Sequence, residues 1–246
     1  MGVAVSRSLR SVTIPTRERL IVALDVPDVE AAKALVRTLG DAVVFYKIGL
    51  ELAMSGRYFE LLDWLLEQDK RVFADLKFYD IPATVGAAVR QIRDRGATFL
   101  TVHGERSILE AAAREKGDAL KILAVTVLTS MEQADLSRVG IDVDIETLAR
   151  RRAADALAAG CDGVIASGHE ARRLRQDLGT GALIVTPGIR PADATPGSDD
   201  QRRIVTPRAA FESGADYIVV GRPIRAARDP LAAAQRIQQE IADCFA

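Results

Sequence analysis

Short runs rich in Val, Ile and Leu recur along the chain, separated by longer segments in which apolar residues return at helical spacing. The runs are "LIVALD" from Leu20, "VVFYKIG" from Val43, "RVFADLK" from Arg71, "ATFLTVHG" from Ala97, "KILAVTVL" from Lys121, "DGVIAS" from Asp162, "ALIVTPG" from Ala182 and "DYIVVGR" from Asp216. Each predicts a strand. In the segments between them, "DVEAAKALVRTLG" places Asp28 to cap a helix and Gly40 to end it, and "SGRYFELLDWLLEQD" opens a second helix at Ser55. Further helices are predicted in "IPATVGAAVRQIRDRG", "RSILEAAAREKG", "DIETLARRRAADALAAG", "GHEARRLRQDLG", "TPRAAFESG" and "DPLAAAQRIQQEIADC".

Eight alternating units in about 230 residues predict an α/β protein of a single domain, a (β/α)8 TIM barrel, because eight strands close a barrel and the length is typical of one. An open doubly wound sheet is the alternative. Two connections are long: "TSMEQADLSRVGIDVD" after the fifth strand, and "GIRPADATPGSDDQRRIVTP" after the seventh, which has no helical period. Long loops on the strand-exit face of a barrel bind and cover ligands, and the second of these is the expected lid.

Composition narrows the function classes. The 33 Lys and Arg residues balance 34 Asp and Glu, a formal charge of −1, so no global field favours nucleic acid or an acidic membrane. Any anion site must be local. Cys161 and Cys244 lie far apart and neither stands near His or Cys at metal-ligand spacing, so both are expected reduced, with no zinc site or disulfide framework. No apolar run reaches the roughly 18 to 20 residues of a membrane span, and the start lacks a secretory apolar segment. Residues 1–17 read as a mobile extension preceding a barrel over 18–246, in a cytoplasmic protein.

Polar residues gather at the carboxyl ends of the predicted strands: Asp25, Lys47, Asp75 with Lys77, His103, and Gly221 with Arg222. In a barrel those ends face one way. Alternation puts Phe73, Asp75 and Lys77 on one face of the third strand and Val72, Ala74 and Leu76 on the other. A rim ion-pair network would account for any one of these residues alone. Burying several charges together costs more than stability alone repays, so the group reads as functional. Pro82 pushes Ile81 out of the helical region and suits a first turn, so Asp80 is either a helix cap or part of the charged group. His103 reads as a packed rim histidine, His169 as exposed and Trp64 as core. Thr129 and Ser130 are turn formers or ligand hydrogen-bonders. "TPGIRP" and "VVGRPI" end the seventh and eighth strands, where barrels bind phosphate, and they bring Arg190, Gly221 and Arg222. A phosphorylated small molecule is the expected substrate class.

The block "DLKFYDIPATV", with "LDVPD" and "YKIGLEL" upstream and "TPGIRP", "DDQRRIVTP" and "VVGRPI" downstream, resembles the orotidine 5′-monophosphate decarboxylase family from about Leu20 to the C-terminus. The resemblance implies a homodimer with active sites at the subunit interface and no metal or organic cofactor. Lys77 would donate the proton to the carbon that loses carbon dioxide, beside Asp75. Lys47 and Asp25 would bind the ribose hydroxyls, Lys47 also continuing the charge chain. Asp80, Ile81 and Thr84 would reach the neighbouring subunit's site, Thr129 would address the pyrimidine edge, and Arg190, Gln201, Gly221 and Arg222 would hold the phosphate. Rival readings are a metal-dependent sugar-phosphate enzyme on the same barrel, a Schiff-base aldolase using Lys77 or Lys47, and a non-catalytic nucleotide-binding barrel. The Ile-Pro-x-Thr continuation and the Asp-Asp-Gln block argue against the first. Aspartates beside both lysines oppose the second, because they stabilise the ammonium.

Overall fold

Each of the eight apolar runs forms a strand. In the computed structural model, which describes residues 14–191 and 204–246, these are β1 (Leu20–Ala23), β2 (Phe45–Ile48), β3 (Arg71–Phe78), β4 (Phe99–Val102), β5 (Lys121–Val125), β6 (Gly163–Ile165), β7 (Leu183–Thr186) and β8 (Tyr217–Val220). All neighbours pair in parallel and β8 returns to β1, closing the barrel in sequence order and excluding the open sheet. The helices are α1 (Val29–Leu39), α2 (Leu50–Met54), α3 (Tyr58–Glu67), α4 (Pro82–Asp94), α5 (Arg106–Glu115), α6 (Gln133–Arg138), α7 (Ile145–Ala158), α8 (Gly168–Leu178), α9 (Pro207–Glu212), α10 (Arg222–Arg225) and α11 (Pro230–Phe245).

Local chemistry sets most boundaries. Asp28 caps α1 by accepting from the Ala31 amide at 2.8 Å, and Gly40 ends it at φ +50°, a conformation glycine adopts without side-chain strain. Three short helices depart from the sequence expectation, one of them α10, which follows directly on β8. α2 precedes Ser55, where a single helix was expected to begin, and α6 lies inside the long connection after β5, closed by reciprocal bonds between Glu132 and Asp135. At α4 the N-cap is Ile81 rather than Asp80, because Pro82 takes the first helical position and holds Ile81 extended at ψ 149°.

The core has two parts. Outward-facing strand residues such as Val72, Ala74 and Leu100 pack beneath the helices in the larger cluster, with half-buried Trp64 at its edge. Inward-facing residues fill the barrel itself: Ile21, Phe45, Phe73, Phe99, Leu123, Val185 and Tyr217. Following the strand register, Phe45, Phe99, Gly163 and Tyr217 form one layer. The rings of Phe45 and Phe99 lie 5.0 Å apart and those of Phe99 and Tyr217 5.1 Å apart. Each aromatic pair adds about 0.5–1.5 kcal/mol beyond area burial. A Cβ on Gly163 would collide with the Leu183 carbonyl. The next layer from the same strands is Lys47, Thr101, Ile165 and Val219, where the filling turns polar.

At residues 14–17, Ile14 packs against the inner cluster and Thr16–Glu18 form a 3-10 turn leading into β1. Most of the expected lid after β7 lies outside the described residues. Its two ends are joined, since Arg190 donates its amide to Val205 at 2.9 Å and Val205 donates to Gly188 at 3.2 Å.

Candidate active site

A cavity of about 440 Å³ opens at the carboxyl-terminal mouth of the barrel. Strand ends bring Asp25, Lys47, Asp75 and Lys77 to one side of it, and Thr129, Arg190, Gly221 and Arg222 also line it. The ends of β1, β2 and β3 thus supply the acidic and basic cluster, and those of β7 and β8 add Arg190 and Arg222.

The four acidic and basic groups form an alternating chain. Lys47 Nζ donates to Asp25 Oδ1 at 2.9 Å and lies 3.3 Å from Asp75 Oδ2. Asp75 Oδ1 accepts from Lys77 Nζ at 2.8 Å. The inner members are the more enclosed: the side chains of Lys47 and Asp75 are 12% and 14% exposed, against 35% for Lys77. Burial pushes the Lys47 ammonium toward neutrality, but Asp75 and Asp25 outweigh it and hold its pKa above the usual lysine value. Burial likewise pushes Asp75 upward, yet Lys47, Lys77 and the hydrogen bonds from Lys77 and Thr101 hold it below the usual carboxylate range. The site is therefore charged and preset.

The third strand delivers Lys77 through an irregularity. Phe73 and Ala74 pair with Phe99 and Leu100, whereas the next pair is Phe78 with Val102, so β3 carries two more residues than β4 across the same span. Within this bulge Lys77 has φ +48°, the left-handed region that costs a side-chain-bearing residue roughly 1–2 kcal/mol. Simple alternation predicts the shared face of Asp75 and Lys77, but it does not predict the bulge that aims the lysine.

Three expected contributors stand apart from this cavity. Asp80, Ile81 and Thr84 are exposed on the segment that enters α4, Ile81 at 65%. Asp80 accepts from the Ile81 amide at 2.6 Å. Gln201 lies outside the described residues. Thr129 lines the cavity and Ser130 does not. His103 is half-buried against Tyr79, and burial together with Arg152 lowers its pKa. His169 is exposed, as expected. Several contributors escaped the sequence reading. Arg225 lines the cavity, three positions after Arg222, and that spacing was the available signal. Val125, Val127 and Ile165 form an apolar wall, and Thr101 bridges Asp75 and Lys77 from β4. Among the described residues, no group of three or more His, Cys, Asp or Glu side chains is placed to hold a metal ion. Nor is any helix among them long and apolar enough to cross a membrane.

Fold and site together define a (β/α)8 barrel of the kind that places its reactive groups at the carboxyl ends of the strands. The sequence profile of the Orotidine 5'-phosphate decarboxylase / HUMPS family matches residues 18–237, and the chain belongs to that family. A Methylococcus capsulatus protein named orotidine 5'-phosphate decarboxylase is 58% identical over 233 residues, 95% of this chain and 96% of its own. One of the same name from Stenotrophomonas maltophilia is 53% identical over 230 residues, covering 93% and 95%. The crystal structure of orotidine 5'-phosphate decarboxylase from Lactobacillus acidophilus superposes with a TM-score of 0.78 at 36% identity, covering 91% of this chain and 99% of the other. That from Pyrococcus horikoshii gives 0.72 at 28% identity, with the same coverage.

Proposed function

We propose that this chain decarboxylates orotidine 5′-monophosphate to uridine 5′-monophosphate, the last step of de novo pyrimidine synthesis, without a metal or organic cofactor. The observation that carries the reading is the alternating chain Asp25, Lys47, Asp75, Lys77 at 2.8–3.3 Å spacing, set in the cavity wall of a family member. Breaking the bond to the carboxylate leaves an electron pair on a ring carbon. Carbon dioxide departs, and the Lys77 ammonium stabilises the pair and then transfers a proton to that carbon. Because the charges are fixed before substrate arrives, little reorganisation accompanies the step. The apolar wall of Val125, Val127 and Ile165 suits a neutral leaving molecule better than the carboxylate it came from.

In the same reading Asp25 and Lys47 hold the ribose hydroxyls, Thr129 the pyrimidine edge, and Arg190, Gln201, Gly221 and Arg222 the phosphate. Arginine's planar fork suits phosphate oxygens, and Gly221 lets the backbone approach. Binding energy collected at the phosphate stabilises closure over the site, so losing those contacts lowers turnover as well as affinity. Asp80, Ile81 and Thr84 act in the partner's site of a cytoplasmic homodimer. The exposed side chains of Tyr79 and Ile81, 61% and 65% accessible on the segment entering α4, support an interface there.

The test is the fall in ultraviolet absorbance when purified protein meets orotidine 5′-monophosphate in the presence of a chelator. Rapid loss is expected. A flat trace would overturn the reading, and a loss that requires added magnesium would overturn its cofactor-free part.

A further inference from the structure

Thr101 is fully buried on the inner face of β4, in the same layer as Lys47. Its hydroxyl makes two bonds of opposite sense. It accepts from the Lys77 backbone amide at 3.0 Å, and it donates to Asp75 Oδ1 at 2.9 Å, the oxygen that also receives the Lys77 ammonium. The bulge in β3 explains why the first bond exists. Between the Ala74–Leu100 and Phe78–Val102 pairs the register shifts, and within that stretch the Lys77 amide donates to the Thr101 hydroxyl. A buried amide requires an acceptor, and the threonine hydroxyl takes the place of a ladder carbonyl. Packing alone does not call for it, since valine would fill the same volume on a strand with no hydroxyl to desolvate.

We infer that Thr101 is a positioning residue, whose single hydroxyl fixes both the Asp75 carboxylate and the left-handed backbone turn that aims Lys77 into the cavity. The inference rests on the decarboxylase reading. Lys77 is thereby held at both ends: its amide by Thr101 directly, and its ammonium through the carboxylate that Thr101 orients. Thr101 is not among the residues that line the cavity, so its effect falls on the geometry of the reacting lysine and not on ligand contact.

The experiment compares wild type, Thr101→Val and Thr101→Ser for orotidine 5′-monophosphate turnover, uridine 5′-monophosphate affinity and melting temperature. Thr101→Val is expected to lose about 10- to 100-fold in kcat, the range for a lost hydrogen bond to a charged group, with product affinity within about two-fold of wild type. Thr101→Ser, which keeps the hydroxyl, is expected to recover most of the turnover. A valine variant with wild-type kcat would overturn the inference. So would a serine variant as impaired as valine, or a parallel loss of product affinity, since either outcome assigns Thr101 to packing. If Thr101→Val does not fold, Thr101→Ala against Thr101→Ser decides the same point, because the two differ by one oxygen atom. A wild-type chain inert toward orotidine 5′-monophosphate would fail the decarboxylase reading itself, and this inference with it, and is distinguishable because no variant is needed to see it.

Discussion

Lys77 combines a charge needed for chemistry with a backbone conformation that lysine resists. Its φ of +48° is free of penalty only for glycine, so the residue is kept at a cost in stability. Lys77→Ala is expected to fold and to lose more than the roughly 10² to 10⁴ in kcat typical of one acid–base group, because the electrostatic stabilisation disappears as well. Lys77→Gly should be equally inactive yet about 1 kcal/mol more stable than Lys77→Ala in urea unfolding, since it relieves the strained turn. Asp75 gives a pH signature. Its folded pKa lies below the usual carboxylate value of about 4, so as pH falls the unfolded chain takes up the proton first. The stabilisation is complete above about pH 4 and is lost as pH falls toward the folded value. Asp75→Asn, which strands Lys47 and Lys77 beside a neutral group, should therefore be destabilised most at pH 7, and the gap to wild type should narrow below pH 4 in urea midpoints. Lys77 and Asp75 were legible because alternation and strand ends are local properties. Thr101 was not: position 101 faces inward by the same alternation as Phe99, but a lone threonine on a strand carries no sign that a bulge on the neighbouring strand needs its oxygen.

At the level of elements, legibility followed how local the determining contact is. The Asp28 cap depends on a bond to an amide three residues away, and Asp28→Ala is expected to lower stability by about 1 kcal/mol with turnover unchanged, measured by urea unfolding and the absorbance assay. The strand positions held for the same reason, since each apolar run was long enough to identify. The short helices α2, α6 and α10 escaped because four to six residues hold too few turns to show a period, whereas α9, equally short, was marked by its Thr206 cap and Pro207. At α4 two local rules competed, and the constraint that Pro82 places on Ile81 prevailed over the capping propensity of Asp80. Freed from the cap, Asp80 stays exposed and accepts from the Ile81 amide.

For the whole molecule, the testable consequence is a shared site. If Asp80 acts across the interface, Lys77→Ala and Asp80→Ala chains, each inactive alone, should regain activity on mixing, approaching ~25% of wild type because half the dimers are mixed and each carries one intact site. Confirmed subunit exchange without recovery would remove Asp80 from the partner's site. The sequence by itself determined the order of strands and helices, their eight-fold repetition, and which charged residues stand at strand ends, because apolar period, caps and turn residues act over a few positions. Only the tertiary structure decided that β8 closes onto β1, that β3 is two residues too long for β4, and that Thr101 fills the resulting gap. Those outcomes depend on register between strands, which is set by contacts between residues far apart in the chain and leaves no mark on either segment alone.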